Sequence, residues 1–332
     1  MTSSPHSDDL AGPFSRRRFA QLGALGLAGG VGALGLGSTA VAVGRDGQVH
    51  YDRARALAGS DPVLLALVTA LTPDFEFPRP PAPEPLRIFD NLAFVSVGWV
   101  SAMAVLTDDG IVLIDALTSP AEAEGVLVPG LRELGADPAT IKYVVVTHGH
   151  DDHFGGAQYL ADRYGARVLM APADWDLIAR TRPDNAPARD LDIADGQRLT
   201  LGGTTIRLHH TPGHTTGTVS PVIPVRSGAE RHTAMLWGGV NPPGTVPELS
   251  VYRASVRSFR KRMRDAKVDV ELSNHPNDHG LQRVEQLRSR PDGVNPFVLG
   301  EPRTQRFMVV LDLMLRGRIA DADRALSGGV GE

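Results

Sequence analysis

The feature that most constrains this chain is a run of metal-ligand residue types placed at the end of an apolar strand. Tyr143-Val144-Val145-Val146 has the β-branched, uninterrupted apolar character of a buried strand. It runs directly into Thr147-His148-Gly149-His150-Asp151-Asp152-His153, which holds three of the chain's eleven histidines. A solvated polar loop is the plain alternative, but scattered surface histidines rarely fall into His-x-His-x-Asp-His. Imidazole and carboxylate are suitable zinc ligands. A strand-end loop can let such side chains diverge towards two points, and paired catalytic metals stand about 3.5–4 Å apart. Gly149 and Gly155-Gly156 are expected to give the segment freedom to bend.

The chain has no cysteine, which removes disulfides, thiolate ligands and thiol nucleophiles together. Any metal therefore falls to His, Asp or Glu. A formal charge of −4 over 332 residues, with no Lys/Arg block beyond the N-terminus, gives nucleic acid no electrostatic footprint. A small-molecule substrate is the expected partner. With 42% hydrophobic and 22% charged residues the chain can bury an ordinary globular core.

Ser15-Arg16-Arg17-Arg18-Phe19, followed by a Gly/Ala/Leu run to Gly37, resembles a twin-arginine export signal. Seven glycines between Ala20 and Gly37 make that run a poor membrane anchor. Ala40-Val41-Ala42 matches an A-x-A cleavage site. The expectations are an exported protein, periplasmic or extracellular, with no stable membrane anchor and a transient encounter with the twin-arginine export machinery. A basic tail ahead of a cytoplasmic enzyme is the alternative. The chain then divides into a signal peptide (1–42), a helical segment with a Pro-rich connector (43–84) and a catalytic domain (85–332).

Residues 52–72 read as helical, interrupted near Gly59-Ser60-Asp61-Pro62, where Asp61 can cap a second helix. Phe77-Pro78-Arg79-Pro80-Pro81-Ala82-Pro83-Glu84-Pro85 excludes helix and central strand alike. Beyond it, strand-like stretches (93–97, 102–107, 111–115, 143–146, 167–170, 198–201, 205–210, 234–237, 268–272) interleave with helical ones (120–134, 156–164, 255–266, 304–316). Two β-rich halves with helices outside predict an α/β fold, a four-layer αββα sandwich.

The His-x-His-x-Asp-His run resembles the signature of the metallo-β-lactamase superfamily, and the similarity extends from about Asn91 to His275. Thr211-Pro212-Gly213-His214-Thr215-Thr216-Gly217 is similar to the superfamily's second motif. The resemblance implies a first zinc on His148, His150 and His214. Members usually add a bridging Asp, or in some lactamases a Cys, after an apolar strand. Here Ala234-Met235-Leu236-Trp237 ends in Gly238-Gly239-Val240-Asn241, with no such side chain. That departure resembles the third subclass of metallo-β-lactamases, whose second zinc takes Asp, His and a late His. The late His is expected at Ser273-Asn274-His275-Pro276, giving a second zinc on Asp152, His153 and His275, with His279 as a competing candidate. Asp115, closing the strand Ile111-Val112-Leu113-Ile114, resembles the carboxylate that orients the first motif; His209, His210 and His232 belong to no motif.

Two zincs per chain would acidify a shared water to near neutrality, making hydroxide the expected nucleophile, with Asp152 steering it. The resemblance points first to a cyclic amide, in a β-lactamase-like reaction. Gly239 and Asn241 stand where such lactamases present serines, and Phe154 departs from the small or His residue usual after the last histidine. Another amide, a lactone or an ester is the alternative. An all-His/Asp set also suits iron, so a metal-dependent oxidoreductase or a non-hydrolytic metal-binding protein is a further class.

Overall fold

A computed structural model describes residues 47–73, 75–276, 279–291 and 293–328. The segment read as an export signal lies outside the described residues, among which no helix is long and apolar enough to cross a membrane. Among the described residues twelve strands form two sheets. The first holds β1 (Leu86–Phe89), β2 (Leu92–Ser96), β3 (Ser101–Thr107), β4 (Gly110–Ile114), β5 (Ile141–Val145), β6 (Arg167–Met170) and β7 (Leu191–Asp192), in sequence order. It is antiparallel from β1 to β4 and parallel from β4 to β7. The second holds β8 (Gln197–Leu201), β9 (Thr204–His210), β10 (Val219–Ser227) and β11 (Glu230–Trp237) as antiparallel neighbours, with β12 (Val270–Ser273) parallel to β11 at one edge.

The first sheet around β4 and the second around the end of β11 are buried on both faces, which is why those strands read as continuous apolar runs, whereas β8 and β9 alternate buried and open residues. The pleat still sorts them. Val112 and Ile114 of β4, with Ala234 and Leu236 of β11, enter the core between the sheets. Ile111 and Leu113 face an outer core with Leu127, Leu131, Leu160 and Trp175. Met235 and Trp237 face a second outer core, completed by the helices Gln48–Ala58, Pro62–Ala70, Val246–Asp265 and Glu301–Gly328. Three cores between four layers are the expected αββα sandwich.

Several expectations hold locally. Asp61 caps its helix by accepting from Val63 N, with Pro62 in the first turn. Residues 75–85 form no helix or strand. Other boundaries differ: the helix expected at 304–316 spans Glu301–Gly328, and the strand expected at 268–272 is Val270–Ser273. β10 was not anticipated; Pro221 and Pro224 break its sequence signal, yet it pairs on both sides.

Candidate metal centre

The six anticipated residues come together where β4, β5, β11 and β12 end. Val219 N donates to Thr147 O (2.7 Å) and Ser101 N to Asn274 O (2.8 Å), so backbone bonds fasten the loops of one sheet to the other. Asp151–Phe154 forms a single helical turn that brings Asp152 and His153 to His148, which also meets His150 and His214.

Two groups of ligating atoms result. In the first, His214 Nε2 lies 3.0 Å from both His148 Nε2 and His150 Nδ1, with the three rings nearly perpendicular (87°, 89° and 90°). In the second, Asp152 Oδ2 is 3.3 Å from His153 Nε2 and 3.4 Å from His275 Nε2, and those two nitrogens are 3.1 Å apart. Ligands about 2.0–2.1 Å from a tetrahedral centre stand roughly 3.3 Å from one another, so both groups have the dimensions of a tetrahedral zinc face. His148 stands between them, its ligating nitrogen within 4.8 Å of those of Asp152 and His153 as well as those of His150 and His214.

The tautomers make the stronger case. His148 Nδ1 is 2.7 Å from Gly238 O, His214 Nδ1 is 2.8 Å from Asn241 O, and His275 Nδ1 is 2.9 Å from Trp99 O. A carbonyl only accepts, so each Nδ1 carries the hydrogen and each Nε2 is left a bare lone pair. The acidities agree. Burial and neighbouring imidazoles hold His148 well below its ordinary value, His214 down at about 3 and His275 at about 4. The neutral imidazoles of His148 and His214, whose Nε2 lone pairs meet at 3.0 Å, repel one another unless a cation takes its place between them. The residues present fit a divalent metal. His153 differs: burial lowers it, but Asp152 and Asp115 outweigh that and raise it to about 10, so the site favours a positive charge at that ring.

Asp115 has the orienting role expected. Fully buried, at left-handed φ 63°, it accepts from Thr147 N (2.7 Å), Thr147 Oγ1 (2.9 Å), His153 Nδ1 (2.8 Å) and Asn274 Nδ2 (3.2 Å). Asp174 was missed, because it sits in the ordinary-looking Pro172–Thr181 helix with no motif around it. Also fully buried, it accepts from Gly149 N (2.7 Å), Gly217 N (2.9 Å) and Thr215 Oγ1 (2.6 Å), tying the two motif loops together. Burial pushes its carboxyl above the usual range although these donors pull it back. Asn274 and the carbonyls of Trp99, Gly238 and Asn241 were likewise not singled out; only Asn274, next to His275, had a sequence cue.

One expectation changes. Gly149, Gly155 and Gly156 are not in glycine-only backbone conformations. They are small for contact: a Cβ would meet Asp174 Cβ at 3.2 Å, Thr118 C at 2.1 Å and Ala116 O at 2.5 Å respectively. Phe154 is fully buried in the outer core with Leu127 and Leu160. Gly238 and Gly239 have no room for a bridging side chain: a Cβ there would fall 2.0 Å from Val219 O and 2.5 Å from His214 Cβ. His279 sits just before the Gly280–Ser289 helix at φ 76°, and His275 is the histidine that reaches Asp152 and His153.

Residues 96–228 match the family model of the metallo-β-lactamase superfamily. Over that segment the chain is similar to the superfamily, and its fold matches that of the solved members. Among solved structures, the subclass B3 metallo-β-lactamase BJP-1 of Bradyrhizobium japonicum is 26% identical, with TM-score 0.61, over 75% of this chain and 96% of that one. FEZ-1 of Legionella gormanii, 21% identical with TM-score 0.62 over 77% and 100%, shares the fold. A hydroxyacylglutathione hydrolase of Acidiphilium cryptum is 38% identical over 105 residues, 32% of this chain. Its counterpart in Pseudomonas aeruginosa PAO1 is 38% identical over 84 residues, 25% of this chain. The alignments span only 38% and 29% of those relatives' own length.

Proposed function

We propose that this protein is a metal-dependent hydrolase with two zinc ions per chain, one on His148, His150 and His214 and one on Asp152, His153 and His275. Its substrate is a small carbonyl compound, with cyclic amides as the first class. The observation that carries the reading is the meeting of imidazole lone pairs whose other nitrogens are committed to backbone carbonyls. Bound there, zinc supplies a Lewis acid for the carbonyl oxygen and activates water for attack.

The chain's own groups do the rest. The carbonyls of Gly238, Asn241 and Trp99, with Asp115, hold the rings in their tautomers and orientations. Asp152, partly open to solvent, offers its carboxylate to orient the attacking water. Thr147, Asp115 and Asn274 close the floor, while exposed His150 leaves the solvent side open to substrate.

The glycines at 238 and 239 support an Asp-His-His second site like that of the third lactamase subclass, and the BJP-1 likeness supports an amide. A second reading, a thioester substrate, is favoured by the hydroxyacylglutathione hydrolases that match part of the chain. The Arg16-Arg17-Arg18 signal supports work outside the cytoplasm on a diffusible substrate.

The test is zinc stoichiometry together with hydrolysis of a chromogenic cephalosporin and an S-acyl thioester, each with and without chelator. Two zincs and chelator-sensitive turnover are expected. Asp152→Ala should lower turnover by about 10²-fold or more, and His275→Ala should retain a single zinc. Two zincs with thioester turnover alone selects the second reading. Two zincs with no turnover of either compound sinks the cyclic-amide and thioester readings and leaves a lactone, an ester or another amide, and two zincs retained in His275→Ala sinks that ligand assignment.

A further inference from the structure

The connector between the N-terminal helices and β1 runs along the metal centre. Phe77 packs beside His275 (ring centroids 5.8 Å apart) and is braced edge-on by Phe75 (5.1 Å). Trp99, in the turn between β2 and β3, stacks on the same imidazole at 5.9 Å and 26° while its carbonyl fixes His275 Nδ1. The connector is seated on this turn: Gly98, at φ 95°, leaves room for Pro80 O, which a Cβ there would meet at 2.1 Å.

That seating lays the exposed Arg79 guanidinium over the Trp99 ring, 4.1 Å from its centre. Among the described residues no carboxylate pairs with it. The loops around the site (96–100, 115–119, 147–156, 211–218, 238–245 and 273–279) contain no Lys or Arg. Arg79 is a cation that the connector brings to the Trp99 edge of the site. Stacking holds a guanidinium flat and leaves its N–H edges free, the geometry that takes a carboxylate in two parallel hydrogen bonds. Its carbon is about 10 Å at most from the His275 ring centre, given 4.1 Å to the indole centre and 5.9 Å from there to the imidazole.

We propose that Arg79, held on Trp99 and flanked by Phe77, is a carboxylate anchor, and that the enzyme's substrates carry a carboxylate separated from the scissile carbonyl by an apolar or aromatic spacer. The spacer runs along Phe77 and Trp99, the carboxylate meets Arg79, and the carbonyl reaches the metal centre. The identity of that carbonyl rests on the hydrolase reading above; the anchor rests on the connector's geometry.

Two measurements separate them. In the first, 3-phenylpropionate and its uncharged amide are titrated against zinc-loaded protein by intrinsic fluorescence. Trp175 and Trp237 are buried and Trp99 is partly open, so Trp99 reports the ligand. The acid should bind about tenfold tighter than the amide, the scale of one charge-assisted contact, and Arg79→Ala should bring the two together. In the second, 4-nitrophenyl hemisuccinate and 4-nitrophenyl acetate are hydrolysed, and Arg79→Ala should lower the ratio of their kcat/KM values about tenfold, through KM. Metal content is measured for each protein. An acid preference that survives in Arg79→Ala, or an amide that binds as well as the acid in the parent, overturns the anchor. An Arg79-dependent preference without turnover of either ester supports the anchor and sinks the hydrolase.

Discussion

Asp115 and Asp174 are fully buried aspartates, each taking three or more hydrogen bonds beneath the same metal centre, yet they hold different halves of it. Asp115 grips His153 and Asn274, a member and a neighbour of the Asp152–His153–His275 group, and also Thr147, which precedes His148. Asp174 grips Gly149, Thr215 and Gly217, the backbone on either side of the His148–His150–His214 group. Asp115 acts on a ligand directly through His153 Nδ1. Asp174 touches no ligand and works by clamping two loops, which is why each loop has a glycine facing it; a Cβ on Gly217 would come 2.6 Å from Asp174 Cγ. On the metal assignment proposed above, the centre is two half-sites, each with its own main support, joined through His148 and the neighbouring Thr147.

The comparison predicts separable losses. Asp115→Ala has the largest expected effect, because four donors lose their acceptor in a dry interior: stability should fall by about 3–5 kcal/mol. Affinity at the Asp152–His153–His275 group should fall about 10–100-fold, with the other group less affected. Denaturant unfolding and cobalt titration followed by absorbance measure both. Equal loss at the two groups would break the distinction.

Arg283→Met comes next. Arg283 and Glu271 are both buried, with Nη2 2.6 Å from Oε2 and Nη1 donating to Glu271 O at 3.0 Å. The pair ties the Gly280–Ser289 helix to β12, and so brackets the loop that presents His275. Removing the cation strands a buried carboxylate, a cost of about 3 kcal/mol in unfolding experiments. Metal loss, if the half-sites are separate, should fall on the His275 side. Selective weakening of the His148–His150–His214 group would contradict that.

Asp174→Ala should cost about 2 kcal/mol and weaken the first group about tenfold, sparing the second. Stability and cobalt spectra of this variant set beside Asp115→Ala form the sharpest contrast. A first group as tight as the parent's would mean that the Asp174 clamp is structural only.

The same contrast explains what the sequence makes legible. The ligands of the first motif are dense and adjacent, and Asp115 ends an apolar strand, so chemistry and pattern coincide. His275 lies 122 residues from His153, and its assignment needed the family resemblance. Asp174 gave no signal, since a helical Asp reads as solvated and only the tertiary fold buries it against two loops. Arg79 was visible merely as part of a Pro-rich connector, because which side of the domain a connector crosses is decided by packing such as Gly98 against Pro80. The layers were readable from alternating strands and helices; β10 was obscured by its prolines.

The smallest expected effect lies away from both half-sites and serves as their control. Arg262 Nη1 donates to His209 Nδ1 at 2.7 Å and also binds Asp195 Oδ1 at 2.7 Å, joining the Val246–Asp265 helix to β9. Burial, and then the Arg262 charge, lower His209 to about 4. The folded chain therefore refuses a proton that the unfolded chain accepts below its ordinary value of 6.5. Stability from this site is complete above pH 6.5 and drains away as pH falls towards 4. After screening at this partly open position the loss is about 1 kcal/mol, roughly 2 °C in Tm, between about pH 7.5 and pH 5. His209→Gln keeps an acceptor for Arg262 and does not titrate, so its Tm should fall less than the parent's over that range, with metal content equal at neutral pH. Parallel pH profiles for the two proteins would place the acid sensitivity in the metal-site histidines instead, and would tie stability to the half-sites more tightly than their separate supports imply.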